Sequence, residues 1–118
     1  RIPMIYIYVN KYFLAHYKTM ESVIQYVSRQ NARHIDEVAT LKIGLRGDAI
    51  NISWPLLILI CRDLVAGKPV SVSALGESYP LSDDVDLYSL LTKYKTERLF
   101  YRGGSVCSSG ETIETVFR

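Results

Sequence analysis

The two histidines and two cysteines of this sequence, His16, His34, Cys61 and Cys107, are the first places to look for nucleophilic, acid–base or metal chemistry. Their spacing assembles nothing. Neither histidine has a second histidine or a cysteine at the short separations by which a turn or helix presents metal ligands. The cysteines stand 46 positions apart, which is neither a redox pair nor a secreted disulfide framework. Asp83, Asp84 and Asp86 crowd three carboxylates together, but they follow Ser82 where a helix begins. Acids there serve the positive end of the helix dipole. Arg102-Gly103-Gly104-Ser105 offers a cation and glycines to a phosphate without the strand–loop–helix context of a nucleotide site. Arg46-Gly47-Asp48 matches the short motif of integrin ligands at a place where a hairpin needs a glycine anyway. No serine–histidine–acid or cysteine–histidine order stands out. The expectation is a protein that is not an enzyme, holds no cofactor or metal and takes no small-molecule substrate.

Binding chemistry is better represented. Tyr6, Tyr8, Lys11, Tyr12, His16, Tyr17 and Lys18 interleave aromatic and basic groups near the start of the chain. Stacking platforms for single-stranded nucleic acid have this composition. So do protein interfaces, where tyrosine supplies large contact area at low entropic cost. The interface reading is preferred for Tyr6, Tyr8, Tyr12 and Tyr17, with nucleic acid as the alternative.

Composition sets the frame for these residues. A length of 118 residues corresponds to a single domain, 1–118, and 48% hydrophobic residues is enough for a core without disulfide staples. A formal net charge of +2 does not by itself argue for nucleic acid or membrane. Cys61, inside an apolar run, reads as a small buried hydrophobe. Cysteine usage points to an intracellular compartment, cytoplasmic or nuclear. No run is long enough to span a bilayer, and the first nine residues are too short and tyrosine-rich for a signal peptide. The absence of Met at position 1 is what a fragment or processed product would show.

The elements that position these residues centre on Trp54 to Cys61, which carries no charge. Ser53 is a good helix N-cap, Pro55 is tolerated in a first turn, and Gly67 suits a helix end, so 53–66 reads as a helix apolar on every side. Such a helix must be covered all round. Residues 3–9 alternate as a strand until Asn10 and Lys11 break the pattern. Met20, Val23, Ile24 and Val27 make one stripe of a helix near 19–32, capped by Thr19, with Arg29 and Arg33 suiting its last turn. Val38 to Leu45 is a strand, 45–48 a hairpin turn and Ala49 to Ile52 the antiparallel return. Residues 68–76 fit either a short strand or a helix begun by Ser71. Residues 78–81 read as an extended connector, because the residue before Pro80 avoids the helical region. A helix over 83–95, a strand over 98–102, a loop over 103–110 and a strand or incomplete helix over 112–117 complete the chain.

The order of these elements over residues 16–102 resembles the BTB/POZ family. Helix 20–33 followed by Asp36-Glu37-Val38-Ala39-Thr40-Leu41-Lys42-Ile43 is similar to its capping helix and first long strand. Ala49-Ile50-Asn51-Ile52 running into Ser53-Trp54-Pro55-Leu56-Leu57 and Cys61-Arg62-Asp63-Leu64 looks like its return strand and helix. Tyr79 to Leu91, with Lys93 to Glu97, looks like its third strand, next helix and tyrosine–threonine step. Three features depart from the pattern: Glu37 inside the Asp–Val step, Ile52-Ser53 in place of Ala-His, and no room in 103–118 for the last helix pair. The resemblance implies homo-oligomerisation or docking of a partner protein. The first strand and helix would then lie at the interface, adding Met20 and Ile24 to the tyrosines.

A second stretch, Leu64 to Gly76, is similar to the first helix, turn and second helix of a winged-helix DNA-binding domain. That likeness would make 83–95 the recognition helix and 98–102 with 112–117 the wing. It assigns nucleic acid to Lys93, Lys95, Arg98, Arg102 and Arg118. It implies a transcriptional or replication regulator, viral and phage accessory proteins included. Against it, recognition helices present their N-terminal residues to the groove, and this one presents Asp83, Asp84 and Asp86. The combined expectation is an α+β domain. A small mixed or antiparallel sheet packs around a central buried helix, and the domain acts as a non-enzymatic interaction or self-association module.

Overall fold

The computed structural model describes residues 3–47, 49–68, 70–74, 77–81, 87 and 100–101. Strands β1 (Ile5–Val9), β2 (Tyr12–Tyr17), β3 (Val38–Ile43) and β4 (Ala49–Ser53) form a four-stranded antiparallel sheet in the order β2-β1-β3-β4. Helix α1 (Met20–Ser28) joins β2 to β3, and α2 (Trp54–Val65) follows β4 without a loop. Strands β5 (Val70–Ala74), β6 (Glu77–Leu81) and β7 (Phe100–Tyr101) make a second antiparallel sheet in the order β6-β5-β7. The class is therefore α+β. Among the described residues no helix is long and apolar enough to cross a membrane.

Alternation in the strands decides which face is inside. Ile5, Ile7 and Val9 of β1, Ala39 and Leu41 of β3, and Ile50 and Ile52 of β4 are buried. They share one core with Met20, Val23, Ile24 and Val27 of α1 and Trp54, Leu57 to Cys61 of α2. Leu87, helical and buried, joins the same core. In α2 eight of the twelve residues are buried, including the whole run Leu57–Cys61. Ser53 ends β4 and also caps α2, its Oγ accepting from Leu56 N at 3.4 Å, while Trp54 N donates to Glu37 O at 2.9 Å. Gly67 leaves the helix with φ +71°, the left-handed position expected after a C-cap.

Turn chemistry fixes the hairpins. Asn10 and Lys11 have φ of +50° and +71°, the two left-handed residues of a primed turn whose twist matches that of the flanking strands. Asn10 also ties this turn to β3: its N–H donates to Val38 O at 2.9 Å, and its Oδ1 accepts from Val38 N at 3.0 Å. At the β3–β4 connection Gly44 takes φ +84°, so β3 stops at Ile43 instead of continuing to Leu45. A Cβ on Gly47 would lie 2.0 Å from Ile43 O, a contact only glycine avoids.

Three expectations are corrected by this arrangement. Residues 12–17, assigned no element from sequence, are strand β2. The helix near 19–32 stops at Ser28, so Arg29 and Arg33 do not occupy its last turn. Its end is served instead from α2: Arg62 Nε donates to Ser28 O at 3.1 Å, and Arg62 Nη2 donates to Gln30 O and to Asn31 Oδ1. Carbonyls at a helix terminus lack intrahelical donors, and a guanidinium satisfies several at once. Beyond it Glu37 Oε1 accepts from Arg33 N and His34 N, which turns the chain toward β3. Of the strand and the helix that both fit 68–76, the strand is found: 70–74 is β5 and pairs with β6 over 77–81. The second helix that the winged-helix likeness expects within 64–76 is thus strand β5 over Val70–Ala74. The connector at 78–81 is part of β6. Helix 83–95, apart from Leu87, the loop at 103–110 and the element at 112–117 lie outside the described residues, and 98–102 is described only at Phe100–Tyr101.

Candidate binding face

Each buried residue of β1, β3 and β4 leaves a neighbour pointing the other way, and these neighbours build a second face. Tyr6 and Tyr8 alternate with Ile5, Ile7 and Val9 along β1. Register sets His16 and Phe13 of β2 opposite them on one side, and Lys42 and Thr40 of β3 on the other. Across the next ladder Thr40 meets Asn51 and Lys42 meets Ala49. The face thus runs over all four strands: His16 and Phe13, then Tyr6 and Tyr8, then Lys42 and Thr40, then Ala49 and Asn51.

The rings on it touch one another. Tyr6 and His16 lie 5.8 Å apart between centroids, His16 and Phe13 6.0 Å apart with planes at 25°, and Phe13 and Tyr8 5.7 Å apart edge to face. Offset and edge contacts at these distances are favourable beyond area burial, so the four rings hold one another in place. A register shift between Ile7 and Tyr8 makes this possible, because Leu14 is the extra residue that keeps Phe13 on the tyrosine side. Phe13 is 53% exposed, Leu14 39% and Tyr12 76%.

Polar groups continue the face from the rings. A shallow depression of about 450 Å³ is lined by Asn10, Lys11, Val38, Thr40 and Asn51. Within it Thr40 Oγ1 donates to Asn51 Oδ1 at 2.8 Å, which leaves the amide N–H groups of Asn51 for a ligand. Strands β1 to β4 contain no carboxylate. The acids adjoining the strands in sequence are Glu37, before β3, and Asp48, before β4, and Glu37 is committed to the backbone of Arg33 and His34.

Not every residue singled out from sequence belongs here. Tyr6, Tyr8 and His16 do. Met20 and Ile24, each 5% exposed, lie in the core of the chain and present no surface to a partner. Tyr17 pairs with Ile5 and packs against the core, its ring 5.5 Å from that of Tyr26 on α1. Burial, and then the neighbouring Tyr17, push the Tyr26 hydroxyl above its ordinary pKa. Tyr12 pairs with Val9 and so stands toward the helix side, at the sheet's end. The sequence alone does not single out Phe13, Lys42, Thr40 and Asn51 as members of this face. Their membership depends on strand register, and a strand's own sequence does not state its neighbour.

Among the described residues the histidines and Cys61 stand on separate segments. His16 and His34 are exposed on different segments. Cys61 is buried in α2, and burial pushes its thiol pKa far above the usual range, an inert thiol by environment. Among the described residues no three metal-ligating side chains converge. Asp48, Asp83, Asp84, Asp86, Lys93, Lys95, Arg98, Arg102, Cys107 and Arg118 lie outside the described residues. Compared with protein-family models, curated proteins and solved structures, the chain matches none. The BTB/POZ and winged-helix likenesses rest on the residues quoted for them.

Proposed function

We propose that the protein is a non-enzymatic interaction module that docks a macromolecular partner on the outward face of its four-stranded sheet. One observation carries this reading. The inward face of the sheet is closed over a continuous core, while the outward face presents four ring side chains in mutual contact. Phe13 and His16 are exposed and Tyr6 and Tyr8 partly buried, and contiguous apolar surface of this kind marks interaction sites. An adaptor or self-association role is supported by the exposed Phe13 and Leu14 on edge strand β2. A second reading, nucleic acid, is supported by the lysines and the absence of carboxylates on the same strands.

Position-specific photo-cross-linking tests the face. A photoreactive phenylalanine at position 13 should give covalent adducts in cells, and the same group at exposed Val65 of α2 should not. Adducts of equal yield at both positions, or at neither, would remove this face as the docking surface.

A further inference from the structure

We infer that the occupant of the outward face is a single strand of nucleic acid, its bases stacked on Phe13, Tyr8, His16 and Tyr6 and its phosphates drawn to Lys11 and Lys42. This rests on the reading of that face as a docking surface and names what it holds. The rings form one connected platform, with Phe13 open to solvent and flanked by Tyr8 and His16. Every base has a π-face, so such a platform takes bases without regard to sequence. Beside it the depression at Asn10, Lys11, Thr40 and Asn51 offers amide donors and an ammonium, matched to base carbonyls and phosphate oxygens. The rings stand on two neighbouring strands about 4.8 Å apart, with Tyr6 and Tyr8 roughly 7 Å apart along β1, which is room for one or two stacked bases.

Charge separates this occupant from a second copy. Face-to-face packing of two copies would set Lys42 and Lys11 against strands that hold no carboxylate to meet them. Edge pairing fares no better. Lys11 and Lys18 flank β2 at its two ends, so two β2 edges joined antiparallel about their centre bring the turn lysine of one copy near Lys18 of the other, an unfavourable approach of like charges. The bulge at Leu14 further disrupts the edge as a template. Duplex DNA is excluded by stacking itself, because its bases are already stacked on each other. A polyanion with free aromatic faces satisfies both halves of the site.

The test is fluorescence anisotropy of the purified chain with labelled oligo-dT and oligo-U of about ten nucleotides. The comparisons are a duplex and a labelled poly-glutamate peptide of equal charge. Both single strands should bind more tightly than either comparison. Phe13→Ala and Tyr8→Ala should each weaken them about tenfold. Tyr12→Ala, on the helix side, should leave binding unchanged. Lys42→Gln should lower the salt dependence. With two phosphates neutralised, affinity should fall about sevenfold between roughly 50 and 200 mM salt. Circular dichroism of each variant separates lost binding from lost fold. Equal binding of poly-glutamate, insensitive to Phe13→Ala, would overturn the inference by showing charge alone. A protein that ignores oligonucleotides but scatters light as a dimer, split by Phe13→Glu, would overturn the nucleic-acid assignment and leave the docking face standing. No oligonucleotide binding and no association sensitive to Phe13→Glu would remove both.

Discussion

The two faces of β1 are made by alternate residues of one five-residue strand, yet they answer to different demands. Ile5, Ile7 and Val9 go under the helices and are lost to solvent. Tyr6 and Tyr8 face away and are partly buried, in contact with the rings of β2. Branched aliphatics fill the inner layer because they pack densely and carry no polar atom to satisfy. The outer layer uses rings with polar edges, which tolerate water and still offer area to a ligand. Adjacent residues therefore report separately on folding and on binding.

Truncation of neighbours breaks the comparison most directly. Ile7→Ala should cost about 2–5 kcal/mol of unfolding free energy in urea titrations, through lost transfer and a residual cavity. Tyr8→Ala, one residue on, should cost about 1 kcal/mol, the size of its ring contacts. Equal losses would mean that the outward rings belong to the core after all. Arg62 sharpens the inner side next. Arg62→Met removes the donors that serve Ser28 O and Gln30 O and should cost about 2 kcal/mol. Arg62→Lys should restore only part of it, since one ammonium cannot reproduce the planar fork.

Smaller effects come from the turn and the rim. Lys11→Gly relieves a non-glycine residue at φ +71° and should raise stability by about 1 kcal/mol. The same change should weaken oligonucleotide binding, so one substitution moves fold and ligand in opposite directions. The smallest expected effect is a pH dependence at Tyr26. Its pKa is raised in the folded chain above the ordinary 10.0, so the unfolded chain loses that proton first. Stability from this group is complete below pH 10 and declines as pH rises through the folded value. Tyr26→Phe should flatten urea midpoints measured across the alkaline range.

Local signals in the sequence carried much of the first sheet and its helices. The stripe Met20, Val23, Ile24, Val27 and the Ser53 cap declare themselves within a few residues, and the turn read at 45–48 falls close to the one closed between Gly44 and Gly47. Strand β2 did not, because the extra residue at Leu14 interrupts its alternation and an edge strand has no need of a buried set. The end of α1 was illegible for another reason: the group that serves it, Arg62, lies 34 residues further on. Half of the candidate face was visible as tyrosines interleaved with basic residues. Phe13, Lys42, Thr40 and Asn51 join it only through cross-strand register, a property of pairs of strands rather than of any one segment.

Because β4 passes into α2 at Ser53–Trp54 with nothing between, the helix inherits its rotational setting from the sheet. One residue inserted at that junction would spin everything downstream by about 100°. Arg62 would swing away from Ser28, and Asp63 would leave its buried seat. Length at this junction is thus fixed to the single residue, and natural variation in chain length is expected to avoid it.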